Sequence, residues 1–379
     1  DISPLNISLM AMIFYSPRLS RRPYAVSRFM CTGVSVMRRM VLPEPGPASS
    51  FRLETVPYEE NPTLHPGYVR VRVSACAVAY RDIIDRQGGF PFMRRPTVLG
   101  HEVAGVVDAV GEGADFSVGD KVVTLHWAQF NGDAFPSPFE HEEAMGTFLG
   151  LTRDGGYSDS LTTHSSGLVK VPRPHLWTGI YAAPVMSTHG TVYQGCVVRG
   201  QLSEGERVLV TGASGGVGSA AVMLFKAIGA HVIAATGDVE NKGEYLKSIG
   251  ADEVVSSATS FGRSVGPVDM SVECCGAPTF TDSLKALRPG GRLVLIGNVT
   301  NSSAPLPLGL CIVRGLTILG TDSIEAETMT ELLNLMESRN MRPIVDREMP
   351  LEEVADAHRL LEERKVTGRV VLDINSKIW

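Results

Sequence analysis

The sequence has little that would tie it to nucleic acid, to a membrane or to an oxidising compartment. Its 35 Lys and Arg are outnumbered by 41 Asp and Glu, a formal net charge of −6. That excludes the basic excess with which proteins neutralise a phosphate backbone. Only six cysteines occur among 379 residues (Cys31, Cys76, Cys196, Cys274, Cys275 and Cys311), with no CxxC pair. Scattered cysteines of this kind exclude a disulfide framework and point to reduced thiols. No apolar run reaches the roughly 18 residues of a membrane span. No internal repeat or low-complexity tract appears. What remains is a chain long enough for two globular cores, with a length and composition that agree with an enzyme.

The most informative stretch is Arg207 to Ala230, RVLVTGASGGVGSAAVMLFKAIGA. Val208, Leu209 and Val210 read as a short buried parallel strand. Thr211 to Gly216 supply a turn, and Val217 to Ile228 repeat apolar residues at helical spacing. Ala213, Ser214, Gly215, Gly216, Val217 and Gly218 lie where backbone must approach a ligand closely. Glycine permits that approach, and the N-terminus of the following helix offers unpaired N–H groups to a phosphate. His231 to Thr236 (HVIAAT) reads as a second strand at the distance a dinucleotide site requires. NAD-specific sites place a carboxylate at the end of that strand to bond the ribose 2′-hydroxyl. Here the position reads Thr236-Gly237, with Asp238 just beyond. Thr236 and Lys242 suit a 2′-phosphate, which favours NADPH over NADH.

The ends and flanks read differently. Residues 1–36 carry Arg18, Arg21, Arg22 and Arg28, many serines, and Asp1 as the sole acid before Glu44. This bias resembles an organelle transit peptide, with an unstructured arm or a mis-assigned start, at Met37 or Met40, as the other reading; the protein is expected in mitochondria or cytoplasm. From Met40 the chain becomes globular. Tyr68 to Cys76 (YVRVRVSAC) alternates strictly, as a half-buried antiparallel strand does. Val103–Val110 and Lys121–Thr124 read as further short strands, divided by Gly and Pro as in a small β-rich domain. Beyond the glycine turn, Val268–Glu273, Gly291–Ile296 and Leu316–Gly320 continue an alternation of strand and helix. Met329–Ser338 and Leu351–Glu363 read as helices, and Val366–Leu372 closes the chain.

Three stretches in order, LGHEVAGVVDAVGEGADFSVGDKVV, VLVTGASGGVGSAAV and LRPGGRLVLIGN, resemble the medium-chain dehydrogenase/reductase superfamily, from about Met37 to Asp373. The details look most like its acryloyl-CoA reductase and quinone reductase branches. The resemblance implies an α/β fold: a doubly wound Rossmann sheet plus a GroES-like β-rich domain. Expected boundaries are a GroES-like domain at 37–186, completed by 335–379, and a Rossmann domain at 187–334. It further implies that Thr191, Gly297 and Asn298 face the cofactor, that Gly368-Arg369 form a turn near the phosphates, and that the last Rossmann strand joins copies in a homodimer or homotetramer. Tyr80 and Arg81 become candidates for substrate or phosphate contacts, and His101 a candidate at the reacting centre.

Departures from the family's pattern matter as much. Zinc-containing members carry a cysteine where this chain has Ala79, keep the His-Glu pair found here as His101-Glu102, and carry a second cysteine aligned with Ser187. Catalytic zinc takes about three protein ligands, and one certain ligand is too few, so zinc is not expected. Phe130 to Leu149 replaces the four-cysteine lobe of structural zinc without a cysteine. Its Glu140, His141, Glu142 and Glu143, with His126, read as a solvated acidic stretch. Phe90 stands where enoyl-thioester reductases of the superfamily carry a tyrosine. The expected activity is NADPH-dependent reduction of an enone, an enoyl thioester or a quinone without metal. A zinc-type alcohol dehydrogenase and a catalytically idle NADPH-binding protein are the rivals.

Overall fold

The computed structural model describes residues 35–90, 93–126, 148–321 and 323–379. The basic N-terminal segment and the acidic residues 140–143 lie outside the described residues. Three strands begin the globular part: β1 (Val36–Leu42), β2 (Arg52–Pro57) and β3 (Tyr68–Val78). Helix α1 (Tyr80–Arg86) follows β3 after a single residue. Next come β4 (Thr97–Val98), β5 (Glu102–Val110), β6 (Lys121–Thr124), β7 (Ser160–His164) and β8 (Leu168–Lys170). β1 pairs antiparallel with β2 and β4 in a small sheet, while β3, β5, β6, β7 and β8 belong to a larger one.

Strand β3 departs from its expected half-burial. Its edges pair with β5 on one side and with β7 and then β16 on the other, while Ala75 and Ala77 pack into one apolar core and Val69, Val71 and Val73 into another, so only Arg72 is exposed. Its other arginine, Arg70, is buried because Nε bonds Asp108 at 2.8 Å and the guanidinium reaches the carbonyls of Glu59 and Glu60. Alternation in sequence therefore marks a charge-satisfied interior face here, not a wet one.

A helical run then leads out of the β-rich part. It opens as α2 (Gly179–Ala182), tightens over Ala183–Val185 and is π-wound at Met186–Gly190 and Tyr193–Arg199. Wide turns of this kind recur at functional sites. The second layer system follows as β9 (Arg207–Val210), α3 (Gly216–Ile228), β10 (His231–Thr236), α4 (Val239–Ser248), β11 (Glu253–Ser256), β12 (Val268–Glu273), α5 (Ala277–Ala286), β13 (Leu287–Leu295), α6 (Leu308–Arg314) and β14 (Thr317–Gly320). All six strands run parallel in the order β11-β10-β9-β12-β13-β14. This is the doubly wound order whose switch point lies between β9 and β12, where such sheets bind ligands. Strand β9 is central, so its Val208, Leu209 and Val210 are fully buried.

The chain closes with α7 (Ala326–Ser338), β15 (Val345–Pro350), α8 (Val354–Glu362) and β16 (Arg369–Asp373). β16 pairs antiparallel with β3, returning the C-terminus to the first sheet. One apolar core runs through both systems, from Ala75, Ala77 and Val123, through Ile180, Val185 and Met186, to Val208, Val210 and Val222. The junction between the sheets is thus a packed one, and polar residues found there were placed at a cost.

Candidate active site

The turn after β9 shows what each glycine does. Gly212 has φ +57°, the left-handed region, and a Cβ there would sit 2.8 Å from Cys275 Sγ. At Gly218 a Cβ would run into the carbonyl of Gly212 and come within 2.6 Å of Ala213 Cα, so this glycine lets α3 close on the turn. At Gly216 it would lie 2.9 Å from the Arg369 guanidinium. Gly215 differs, since its Cβ would meet nothing nearer than 3.5 Å. Gly215 N-caps α3 without a side-chain partner, leaving first-turn N–H groups for an anion.

Beneath the turn sits Glu273, fully buried at the end of β12. Its Oε1 accepts from Thr211 Oγ1 (2.9 Å), Thr279 Oγ1 (2.6 Å) and the N–H groups of Cys275 and Gly276 (2.8 and 2.9 Å). Its Oε2 accepts from Ser283 Oγ at 2.6 Å. Five donors make this carboxylate a hub that fixes the end of β9 to the end of β12. Gly297 approaches the Cys274 backbone too closely for any side chain, and Asn298 Oδ1 lies against Gly276. These candidates therefore share one wall with the turn. Thr236 ends β10, buried, with Oγ1 accepting from Asp238 N–H at 3.3 Å. The Asp238 carboxylate turns away to cap α4, taking Asn241 N–H and Nδ2 at 3.2 and 2.9 Å. Lys242, one residue further along α4, is half-buried with no ion-pair partner among the described residues.

Two polar groups of the β-rich part adjoin each other in sequence at His101-Glu102, and one of them reaches this cradle. In the first, Arg369 Nη2 bonds Glu102 Oε1 at 2.9 Å and Ser187 Oγ at 3.2 Å, while Ser187 Oγ donates to the same Glu102 oxygen. Glu102 is fully buried. The turn before Arg369 joins the cradle directly, for Gly368 N–H bonds Ser214 O at 2.9 Å. The residues from three distant stretches thus meet, and Arg369 packs on Gly216.

The second group surrounds His101, whose Nδ1 lies 3.1 Å from Asp82 Oδ1. Asp82 Oδ2 accepts Ala79 N–H at 2.8 Å, which fixes the first turn of α1. Burial works against Asp82 ionising, but the charge and hydrogen bond of His101 outweigh it and hold the carboxyl down at about 2. His126 stacks on His101 with ring centroids 4.8 Å apart, and its Nε2 meets Arg81 Nη1. Burial, with Arg81 and His101 beside it, keeps His126 well below the usual histidine range. Arg81 Nε lies 3.1 Å from Asp85 Oδ2, and burial raises the Asp85 carboxyl to about 6. Tyr80 opens α1, half-exposed, and Thr191 is buried in the helical run, its Oγ1 3.5 Å from Met186 O. Neither joins the two groups through a hydrogen bond among the described residues.

Cys76 does not face this junction. Its Sγ packs against Gly100 and Gly156 inside the core of the β-rich part, and burial raises the thiol well above its ordinary range.

Comparison with known proteins agrees with this geometry. Residues 65–173 match the model of the alcohol dehydrogenase GroES-like domain, and residues 216–338 that of the zinc-binding dehydrogenase family. An acryloyl-coenzyme A reductase of Sulfurisphaera tokodaii is 34% identical over 334 residues, covering 86% of this chain and 98% of its own. The chain belongs to the medium-chain dehydrogenase/reductase superfamily. Among solved structures, AibC superposes with TM-score 0.81 at 36% identity, over 90% of this chain and 96% of that one. An NAD-dependent alcohol dehydrogenase gives TM-score 0.79 at 32% identity, over 89% and 99%. The protein is accordingly an oxidoreductase with a Rossmann sheet and a GroES-like part. No helix among the described residues is long and apolar enough to cross a membrane.

The family name invites a test of zinc against these side chains. Ala79 has no donor atom. His101, held by Asp82 through Nδ1, offers a single nitrogen, and Glu102 Oε1 and Ser187 Oγ are bonded with the Arg369 guanidinium. A cation already stands where a second ligand would have to turn, so this donor set does not fit a tetrahedral catalytic zinc. Among the described residues no group of three His, Cys, Asp or Glu is spaced to hold a metal. A nicotinamide dinucleotide fits better, because Gly215 leaves room and the first turn of α3 leaves N–H groups for a pyrophosphate.

Sequence reading missed Asp82, Asp85 and Glu273. Asp82 had a signal, being a carboxylate in the first turn of a helix that starts where a strand stops. Asp85 and Glu273 had none, because their partners lie on other elements.

Proposed function

We propose that this protein is an NADPH-dependent reductase of an activated C=C bond, an enone or an enoyl thioester such as acryloyl-CoA, or of a quinone. It works without a metal. The observation that carries this reading is the replacement at the junction: beside the glycine turn, Ala79 offers no donor atom and the Arg369 guanidinium holds Glu102 and Ser187. The relationship to acryloyl-coenzyme A reductase supports the same substrate class.

Residues Gly212 to Gly218 and the first turn of α3 hold the pyrophosphate, with Arg369 beside them. Thr191, Gly297 and Asn298 line the nicotinamide end, and Tyr80, Arg81 and His101 face the substrate. When bound, the reduced cofactor supplies a hydride to the electron-poor carbon of the acceptor. The packed junction excludes water, so the fixed charges of this chain meet the charge that develops on the substrate. Thr236 and Lys242 receive the 2′-phosphate, while Asp238, committed to capping α4, stays clear of it.

A homodimer fits the surface. Strand β14 ends the six-stranded sheet with an edge unpaired among the described residues, and α6, which precedes it, exposes Leu308, Ile312 (78%) and Val313 (85%). A second copy covers both.

Cofactor oxidation against a panel of acryloyl-CoA, 2-alkenals and quinones, with and without a chelator, tests the reading. Turnover of one class, unchanged by chelation, is expected. No turnover with any acceptor points to an idle binding protein. Activity lost with one equivalent of zinc returns the protein to the metal-dependent alcohol dehydrogenases.

A further inference from the structure

The guanidinium of Arg81 is not explained by packing. It sits in the first turn of α1 with its side chain 16% exposed, against an Asp85 side chain that is 1% exposed. Nε is matched to Asp85 Oδ2 at 3.1 Å and Nη1 to His126 Nε2, yet Nη2 is buried with no hydrogen-bond partner. Oδ1 of Asp85 is buried and unmatched as well. A buried donor left without an acceptor costs about 1–3 kcal/mol, and a buried ion pair rarely repays its own desolvation. Such an arrangement persists where a ligand completes it. Its place supports this: His126, which holds Nη1, stacks on His101, and the residue after His101 is Glu102, bonded to the arginine that packs on the cradle glycine Gly216.

We infer that Arg81 is a catalytic residue that binds the acceptor's carbonyl oxygen through its free Nη2 and carries the negative charge that the oxygen gains. This rests on the reductase reading above. In the step it serves, a reduced nicotinamide dinucleotide gives a hydride to the β carbon. The C=C electron pair moves to the α carbon and onto the carbonyl oxygen, forming an enolate. Arg81 pairs with that enolate and keeps all its protons. A proton from solvent then adds to the α carbon, restoring the carbonyl, and the dinucleotide is left oxidised. A permanent guanidinium is suited to the task, because it needs no pH window and offers parallel N–H groups to an oxyanion. Asp85 and His126 are positioning residues, holding two of its three nitrogens so that the third has one direction.

Full-length Arg81→Met and Arg81→Lys variants test this in two ways. The first is kinetic. With the acceptor found in the panel, Arg81→Met is expected to lower kcat by about 10²–10³-fold, the usual loss for one oxyanion donor, with NADPH affinity unchanged; the melting temperature falls because Asp85 loses its partner, so rates are compared well below it. Added guanidinium ion should restore part of the methionine variant's rate and none of the wild type's. The second is spectroscopic and needs no turnover. A 1,3-diketone such as acetylacetone absorbs differently as its enolate. Wild-type protein with NADP⁺ should bind it as the enolate, Arg81→Lys more weakly so, and Arg81→Met as the neutral form. Wild-type kcat in Arg81→Met overturns the proposal, and so does an absent enolate signal in wild-type protein. If wild-type protein reduces no acceptor yet binds the diketone as enolate, the reductase reading fails and the assignment of Arg81 to an oxyanion stands.

Discussion

The two walls of this junction solve opposite problems. The Rossmann wall is made of backbone: Gly212, Gly215, Gly216 and Gly218 work by having nothing on their α carbons, and Glu273 holds the turn from below. The GroES-like wall is made of charged side chains, with Arg81, Asp82, Asp85, His101, Glu102, His126 and Arg369 crowded into a largely dry space. One wall presents space to a ligand that brings its own charge. The other presents charge to a ligand that develops it. Substitutions should therefore act sterically and locally on the first, and through uncompensated charge on the second.

The largest expected effect is on the first wall. In Gly218→Val the new side chain meets the carbonyl of Gly212 and the Ala213 backbone, neither of which can give way. Cofactor binding should vanish and stability should fall by more than about 2 kcal/mol, as overpacking does. Gly216→Val should also lose the cofactor, chiefly by pushing Arg369 off its seat. Gly215→Ala is the discriminating case. The protein leaves room there, so melting temperature should hold while NADPH affinity drops, because the methyl group stands where a pyrophosphate comes close. If Gly215→Ala binds NADPH like wild type, the pyrophosphate does not lie over this turn.

On the second wall the largest effect comes from halving the buried pair. Arg369→Met leaves Glu102 charged and surrounded, which should cost about 3–5 kcal/mol in urea unfolding. Glu102→Gln removes the charge but keeps an oxygen for Ser187 and Arg369, so a smaller loss is expected. Equal losses would mean that shape, not charge, matters here.

Protons give the next, smaller effect. Burial pushes His189 down to about 3 and His358 down to about 4, against an ordinary value of 6.5. Below pH 6.5 the unfolded chain takes up protons that these native rings refuse, so stability falls as pH drops from 6.5 towards 4. Asp85 has the opposite sign. Its native carboxyl, raised to about 6, binds a proton between pH 6 and 3.8 that the unfolded chain lacks. Each group changes the slope by at most about 1.4 kcal/mol per pH unit. His358→Gln should flatten the loss between pH 6.5 and 5, and Asp85→Asn should steepen it. Unfolding curves at three pH values decide the signs.

The difference between the walls also explains what the sequence discloses. The glycine turn is contiguous, its function is in the backbone, and β9, α3 and β10 lie where the residue pattern puts them. The doubly wound sheet comes from the family resemblance and its strand order is not read at all; β11 and β15, largely exposed, show no apolar pattern. The second wall is assembled from residues 79–102, 126, 187 and 369, four stretches that only folding brings together. His101 and Arg81 were legible as residue types, and Arg369 through a family turn. That Ser187 and Arg369 share one oxygen of Glu102 was not. Nor was the burial of Arg70 on β3, which reads as solvent-facing like the exposed Arg72 until Asp108 and the carbonyls of Glu59 and Glu60 are seen against it.

The smallest effect concerns the one place on the Rossmann wall where side chains, not backbone, should choose the ligand. A carboxylate at the end of β10 would repel a 2′-phosphate, and this chain has Thr236 there, followed by Gly237, at which an added Cβ would meet nothing within 4 Å. The nearest carboxylate, Asp238, spends both oxygens on Asn241. Lys242 has no carboxylate to pair with among the described residues, so its charge is available to a phosphate. NADPH should therefore bind more tightly than NADH by roughly tenfold, about 1.4 kcal/mol, as read by titration of nicotinamide fluorescence. Lys242→Ala should remove most of that margin while leaving NADH affinity alone, since only the phosphate distinguishes the two cofactors. Raised salt should shrink it as well, because a partly exposed charge pair is screened. Equal or tighter binding of NADH by the unaltered protein would move the choice to Asp238, freed from its cap to take the ribose hydroxyl; Asp238→Asn would then lose NADH affinity and not NADPH affinity.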